Sequence, residues 1–591
     1  MAIDPITIEV LRSALPAITN EMSYVLRRTS YNMMIYEVGD YCCSVLDTEG
    51  NLISQNAGGV SHFVSDLGVV IRDGVQRIKD FAPGDVIITN HQAVCGQHLN
   101  NICVYTPFFF EGALLGFAVI RAHWIDVGGY STGFGAGAAA SDPWLEGLQL
   151  NQLKIYKAGK PDEGLLQMIS DNIRQPESSM GDLRAQMASC NLGVKRLEEI
   201  CTKYGKDVVF EAIAQIFTES EARCRKVIAE FEDGTFEYEA FFDDSASKVD
   251  GPIRIKTIVT VAGDQMTIDL SQCSKQRNSV LNSRTLAGPY IAFKALTCPL
   301  EPVNEGSFKA LDVILPEGTF MMAHYPAPMA GWSVALPTVV DAILAALAPS
   351  QPTRMPAAHK GVMGDSITFF GDNPKTGRRF VVQSIEGGGW GGRPYEDGPS
   401  ASVTVCQGDV RNSPIEALEQ RFPIIVEKRG FREDSGGAGK FRGGLGLDVR
   451  VRNLVGGRWN LAQTGRKAFP PWGLWGGKLG GRGDRKLQLP GETDWTIVDA
   501  VWHQVPAETR AVIQSAGGGG WGEPLERELE SVRQDVLRGM VSAAGAERDY
   551  GVVLNVVQSH GATIDVQVDF AATKKIRQDR SRLAAAAAQT A

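Results

Sequence analysis

Apolar positions along the chain change period several times, and those changes mark its elements. After Asp4-Pro5, an N-cap residue followed by a residue suited to the first helical position, Val10, Leu11, Ala14, Ile18, Met22 and Val25 recur at helical spacing. Pro16 lies inside that stripe and predicts a kink or a break into two helices. From Cys43 to Ile53 the pattern becomes a hairpin, Ser44-Val45-Leu46 and Asn51-Leu52-Ile53, turning through Asp47-Thr48-Glu49-Gly50. A helix is expected over 65–81, then the turn Pro83-Gly84-Asp85 and a strand over 86–89. Residues 102–110 read as a strand that Pro107 places at an edge or interrupts.

The span 180–231 is helical in pattern, with Gly205 where one helix ends and Asp207 where the next begins. At Glu232-Asp233-Gly234 alternation takes over, including strands within 253–270 that turn at Ala262-Gly263-Asp264. Two later helices, 289–296 and 337–347, each open on a proline. Beyond about residue 380 the chain is rich in glycine and prone to strand, and Gly387-Gly388-Gly389-Trp390-Gly391 is echoed by Gly518-Gly519-Gly520-Trp521-Gly522. These glycines read as tight turns between strands, or as places where backbone approaches a ligand. A helix over 523–538 and a hairpin near 552–570 close the pattern, before a basic, alanine-rich tail expected as a frayed helix or a contact with another chain.

At 591 residues the chain exceeds one ordinary core. The shifts in character predict a mixed α+β, multidomain fold. Its parts are an α/β N-terminal domain over 1–235, an α+β middle domain over 236–380, a glycine-rich β domain over 381–573 and a tail over 574–591. Composition, 43% hydrophobic and 21% charged, is that of a soluble globular chain. The net charge of −9 argues against a general nucleic-acid or membrane-surface binder. The first residues carry no cationic segment followed by an apolar core, so no secretory signal is read. The apolar stretch 108–120 is short and broken by Glu111, below the length of a bilayer span. Ten cysteines without a Cys-x-x-Cys pair point to a reduced, cytoplasmic protein; Cys42-Cys43 reads as buried packing, with a cysteine nucleophile as the alternative.

The candidate chemistry concentrates in Arg121-Ala122-His123-Trp124-Ile125-Asp126-Val127-Gly128-Gly129. His123 and Asp126, three apart, cannot share a face of a straight strand, so a common ligand requires the bend that Gly128-Gly129 permits. Neutral imidazole with carboxylate suits a borderline divalent metal, zinc or manganese. Gly96-Gln97-His98-Leu99-Asn100-Asn101 offers a second His, Asp40 a second Asp, and Glu146 a further carboxylate whose other reading is charge at a helix N-terminus. Four of the eight histidines, His62, His91, His98 and His123, fall in this region; each alone also reads as a hydrogen-bonded structural residue. Trp124, Tyr130, Phe134 and Trp144 suit a partly apolar pocket or plain core.

Other reaction classes lack their signatures. Gly436-Gly437-Ala438-Gly439-Lys440-Phe441 misses the first glycine of a phosphate loop and the Ser or Thr after its Lys. No strand–GxGxxG–helix unit and no Gly-x-Ser-x-Gly elbow occurs. If ATP is used, another polypeptide holds it.

Ordered motifs along nearly the whole chain resemble the hydantoinase B/5-oxoprolinase family. They are Asp4-Pro5-Ile6-Thr7, Leu26-Arg27-Arg28-Thr29-Ser30, Asp40-Tyr41-Cys42-Cys43, Pro83-Gly84-Asp85, Gly96-Gln97-His98-Leu99, the Arg121 to Gly129 stretch and Glu146-Gly147-Leu148. Further on come the glycine runs after Gly387, Ser435 and Gly517, then Arg548-Asp549-Tyr550-Gly551-Val552. The resemblance implies one component of a hetero-oligomer that works with a hydantoinase A-type partner holding ATP and magnesium. It implies a small-molecule substrate, and neither nucleic acid nor membrane. One implied reaction is ATP-dependent opening of hydantoins, 5-oxoproline or lactams. The alternatives are ATP-dependent carboxylation of ketones, as in acetone and acetophenone carboxylases, and a non-catalytic scaffold. In both reactions the partner phosphorylates an oxygen and makes an inert bond reactive.

The metal ligands map by motif onto Asp40, His98, His123 and Asp126, with Glu146 beside the position where some members carry a further His. The metal then polarises an oxygen. His62 or His98 is the expected base, and Arg121 orients an anionic group or forms a structural salt bridge.

Overall fold

The computed structural model describes residues 3–130, 141–244, 247, 249–363, 365–462, 466–498, 502–559 and 562–590. Its N-terminal part is built on a seven-stranded sheet. The strands are β1 (Tyr41–Asp47), β2 (Leu52–Gln55), β3 (Val86–Thr89), β4 (Asn101–Phe110), β5 (Ala113–His123), β6 (Leu153–Lys157) and β7 (Lys160–Pro161). They lie in the order β2-β1-β5-β4-β3-β6-β7, with every neighbour antiparallel.

Alternation along these strands gives the sheet two different faces. Cys43, Ile102, Ile120 and Ala122 pack on the helices Pro5–Thr29 and Pro176–Tyr204. Cys42, Cys103, Tyr105, Phe117 and Val119 join the cluster that contains Phe63, Val64 and Leu67, from the short helix Ser61–Val64 and the helix Leu67–Arg77. The adjacent pair Cys42-Cys43 therefore enters two separate cores, as packing residues.

The structure bears on three expectations. The first helix runs unbroken through Pro16, held by its length of packing on Pro176–Tyr204. Pro107 lies in a strand flanked on both sides, but β3 pairs only with Cys103 to Tyr105, so Pro107 projects past its end and needs no donor there. The helix expected over 65–81 is Leu67–Arg77; Asp66 makes no cap bond because its carboxylate turns inward to Gln97 and Thr285.

A second sheet orders Leu311–Ile314, Gln265–Asp269, Ile253–Ala262 and Gly234–Phe242, and the helix Leu336–Leu347 packs on it with every residue buried. One cluster of buried apolar side chains runs from Met34 to Val410 and so joins residues on both sides of 235 and of 380. Three further sheets follow among the described residues, two containing Ser366–Asn373 and Leu447–Asn453 and a two-stranded one pairing Leu554–Ser559 with Ala562–Val568. The stretch expected as one helix over 523–538 divides into Pro524–Glu526 and Leu529–Leu537. Between them Arg527 is drawn inward by Asp397 at 2.6 Å and Asp535 at 2.8 Å. The tail is helical over Phe570–Thr590.

The glycine runs are packed side by side rather than forming tight turns between strands. Extended glycine segments lie side by side, and 517–522 is flanked by three others. Gly389 donates to Ala516 at 3.0 Å, Gly437 to Gly518 at 2.8 Å and Gly520 to Lys478 at 2.9 Å. A Cβ on Gly518 would meet the Trp390 carbonyl oxygen at 2.0 Å, on Gly519 that of Trp472 at 1.9 Å, and on Gly520 that of Ala438 at 2.1 Å. Successive residues thus face three different neighbours, all of them backbone. Gly519→Ala is expected to destabilise the fold by about 3 kcal/mol, since no rotamer relieves the overlap; an unchanged denaturant midpoint contradicts this packing.

Candidate functional site

The polar centre of the first sheet forms where β5 ends. His123 is its last residue, pairs with Asn101 of β4, and donates its backbone N–H to the Asp40 carbonyl at 3.1 Å. Asp40 directly precedes β1, so Asp40, His123 and Asn101 stand in one row across three strands. Two residues back on the same face, Arg121 lies between Cys42 and Cys103.

The loop before β4 brings His98 against His123, with ring centroids 4.9 Å apart. His62 approaches from the short helix above, its Nδ1 2.6 Å from the Cys406 carbonyl oxygen. That contact places the proton on Nδ1 and leaves Nε2 as the acceptor. Trp332, which carries no signal in the sequence, joins the rings: its indole lies 4.9 Å from His62 and 6.3 Å from His98. Burial holds His62 and His123 near 3, and pushes His98 well down with help from neighbouring His123 and His62. All three imidazoles are therefore neutral at physiological pH. Burial also lifts the Asp40 carboxyl to about 7.

Arg121 is buried and donates to the Phe63 carbonyl at 3.3 Å. Its guanidinium is opposed by buried Asp66, whose carboxylate accepts from Gln97 at 2.7 Å and Thr285 at 2.9 Å. A cavity of about 10 Å³, lined among others by His91, Gln97, His98, Asn101 and Arg121, adjoins this row. It has room for about one water.

The other two expected ligands lie in different surroundings. Gly128 and Gly129, at φ +82° and +72°, turn the chain as expected, but the Asp126 carboxylate is taken up by partners outside the His123 row. Its carboxylate accepts from the backbone N–H groups of Arg174, Gln175 and Gly128 and anchors the entry to the helix Pro176–Tyr204. Glu146 is fully buried behind the His98 loop and accepts from the Leu99 N–H and, at 2.8 Å, from Gln92. Trp124 is core, its Nε1 bonded to Gln186 at 2.8 Å; Tyr130 and Trp144 are exposed, and Phe134 lies outside the described residues.

Among the described residues, no group of three or more His, Cys, Asp or Glu is arranged so that it can hold a metal ion as it stands. By donor chemistry, Asp40, His98 and His123 fit one: two imidazoles kept neutral by burial and a carboxyl on the adjoining strand. Asp126 and Glu146 are occupied with backbone donors.

Glu146 supplies a pH test. Burial raises its carboxyl from 4.5 to about 7, against the Leu99 and Gln92 donors that favour the charged form. A carboxyl whose folded pKa lies above its unfolded value stabilises fully below pH 4.5, and that contribution is lost as pH rises through about 7. Glu146→Gln removes the dependence while keeping an acceptor for Leu99; Gln92 Oε1, with no hydrogen bond among the described residues, can take the new NH₂. Relative to wild type, the variant is expected to gain about 2 kcal/mol between pH 5 and pH 8 in chemical denaturation. A pH-independent difference contradicts the shift.

A family model described as hydantoinase B/oxoprolinase matches residues 4–524. An uncharacterized protein of Methanocaldococcus jannaschii is 32% identical, over 97% of this chain and 100% of its own length. A protein of a Pseudomonas species, described as a putative subunit of a D-/L-hydantoinase, is 29% identical, over 98% of each chain. Among solved structures, the ATP-dependent caprolactamase from Pseudomonas jessenii has a TM-score of 0.89 at 27% identity, over 98% of this chain and 100% of that one. Nucleotide-free acetone carboxylase has a TM-score of 0.88 at 20% identity, over 98% of this chain and 84% of that one, a likeness of fold alone. No helix among the described residues is long and apolar enough to cross a membrane.

Proposed function

Since the chain belongs to the hydantoinase B/oxoprolinase family, we propose that it is one component of an ATP-dependent cyclic-amide hydrolase, opening a hydantoin, 5-oxoproline or lactam ring. The observation that carries this reading is the meeting of His62, His98, His123, Asp40 and Arg121 from four separate stretches of sequence, with His98 and Arg121 lining a cavity the size of one water. The names of relatives, as a hydantoinase subunit and as an ATP-dependent lactamase, support the reaction class. The missing phosphate loop supports a hydantoinase A-type partner that holds ATP and magnesium and phosphorylates the ring carbonyl oxygen.

Asp40, His98 and His123 would hold a divalent metal, zinc or manganese, which supplies polarisation of an oxygen. His62, with Nδ1 committed to Cys406, leaves Nε2 as the acceptor for the attacking water; held near 3 by burial, it orients that water and takes its proton only as the attack proceeds. Arg121 acts as a positioning residue, tying the His62 turn to β5 through the Phe63 carbonyl. Buried surroundings keep bulk water from the activated carbonyl.

A ketone carboxylase is the second reading, favoured only by the shared fold of acetone carboxylase. The test is the chain together with a hydantoinase A-type partner, ATP and magnesium, offered 5-oxoproline, hydantoin and caprolactam, then acetone. Ring opening in step with ADP, unaffected by bicarbonate, is expected. Bicarbonate consumed in step with ATP, without ring opening, would establish the carboxylase instead. ADP formation by the partner that this chain leaves unchanged, with no ring opened, would make the chain a scaffold.

A further inference from the structure

Cys224 and Cys298 stand apart from the other cysteines. Cys224 lies in the last turns of the helix Lys206–Ile228, and Cys298 is the C-cap of the helix Ala287–Thr297. Their sulfurs are 3.7 Å apart although 74 residues separate them in sequence. Both are free thiols, and Cys298 is partly exposed whereas the other nine are buried. The Lys294 ammonium reaches the Cys298 carbonyl, and the Glu301 carbonyl at 2.9 Å, which holds a positive charge beside the thiol pair.

Partial exposure of Cys298 gives the pair a route to solvent, and the residues that follow it give the pair a consequence. Pro299, Leu300 and Glu301, next in sequence, form with Lys294 one wall of an open groove of about 450 Å³. Ser61 and Val64, from the same turn as His62, also line it. Leu300 is 96% exposed, so the segment after Cys298 is held by little apolar packing.

We propose that Cys224 and Cys298 are a thiol-oxidation site at which hydrogen peroxide converts the pair to a disulfide. The sulfur of the partly exposed Cys298 attacks the peroxide, whose O–O bond breaks; Cys298 becomes the sulfenic acid and the displaced oxygen leaves as water. The Cys224 sulfur then attacks the Cys298 sulfur, the S–O bond breaks, and a second water leaves. Two thiols and one hydrogen peroxide thus give one disulfide and two waters. Burial lifts the Cys224 thiol to about 11, and the nearby Lys294 ammonium favours its thiolate in the second step. The bond fastens the 299–301 wall of the groove to the helix Lys206–Ile228. This inference is independent of the reaction assigned to the His62 centre.

The test uses the full reduced chain treated with hydrogen peroxide, alkylated with iodoacetamide and digested without reduction. A peptide linking Cys224 to Cys298 is expected, in a chain lighter by two hydrogens, reversed by dithiothreitol. Cys224→Ser and Cys298→Ser should each lose the linked peptide. In folded Cys224→Ser, Cys298 should proceed to the sulfinic acid. Recovery of both residues as alkylated thiols in treated wild type, or sulfinic Cys298 without a link there, overturns the proposal.

Discussion

Replacement of His123 by Ala is expected to lower ring-opening turnover by at least about a hundredfold, the effect of removing a metal-centre or acid–base group rather than a packing residue. His123 is placed for this by three independent restraints. It ends β5, it pairs across β1 with Asp40 and across β4 with Asn101, and its ring lies against His98. The side chain is fully buried, so truncation also leaves a cavity and lowers stability. Turnover and thermal midpoint must therefore be read on the same sample. A folded His123→Ala protein with turnover within a few-fold of wild type would remove His123 from the site. His62→Ala, by contrast, should reduce turnover while leaving bound metal in place, because His62 is read as base and not as ligand.

The largest expected loss of stability lies elsewhere, at Lys360. Its ammonium is buried, 3.1 Å from the Asp365 carboxylate and 2.7 Å from the Glu386 carbonyl. Asp365 is itself fully buried, and Lys360 is the main group holding its carboxyl down against burial. Lys360→Met keeps the aliphatic volume and leaves that carboxylate without its partner, at a cost of about 3–5 kcal/mol in urea denaturation. Lys360→Met combined with Asp365→Asn should recover most of the loss, because no uncompensated charge remains. A single variant as stable as wild type would mean that Arg485, also near Asp365, suffices alone.

Much of the fold is legible in the chain's periodicities. Gly205 marks the break between Pro176–Tyr204 and Lys206–Ile228, and Val86–Thr89 falls where the turn Pro83-Gly84-Asp85 places it. What periodicity misses is set by tertiary contact. Pro16 does not break its helix because a second long helix lines it, and Pro107 is tolerated where β3 has already ended. The glycine runs look like turns in sequence because glycine serves turns and close approach equally; only the packing of 517–522 among its neighbours separates the two.

The site divides in the same way. His62, His98, His123, Asp40 and Arg121 are brought together from stretches whose residue types already suggest chemistry. Trp332 and the Cys406 carbonyl reach the centre from distant segments and carry no local signal. Asp66 draws no expectation from the sequence, whereas its buried carboxylate faces Arg121 from within. Sequence also cannot distinguish a carboxylate that awaits a ligand from one that accepts backbone N–H groups, and Asp126 and Glu146 are of the second kind.

The most direct measurement is elemental analysis of the purified full chain beside its folded Asp40→Asn and His123→Ala variants. Near-stoichiometric zinc or manganese in wild type, lost from both variants, is the predicted result and makes the row across β1 and β5 the metal centre. Wild type without metal, or metal retained in both variants, would contradict that assignment.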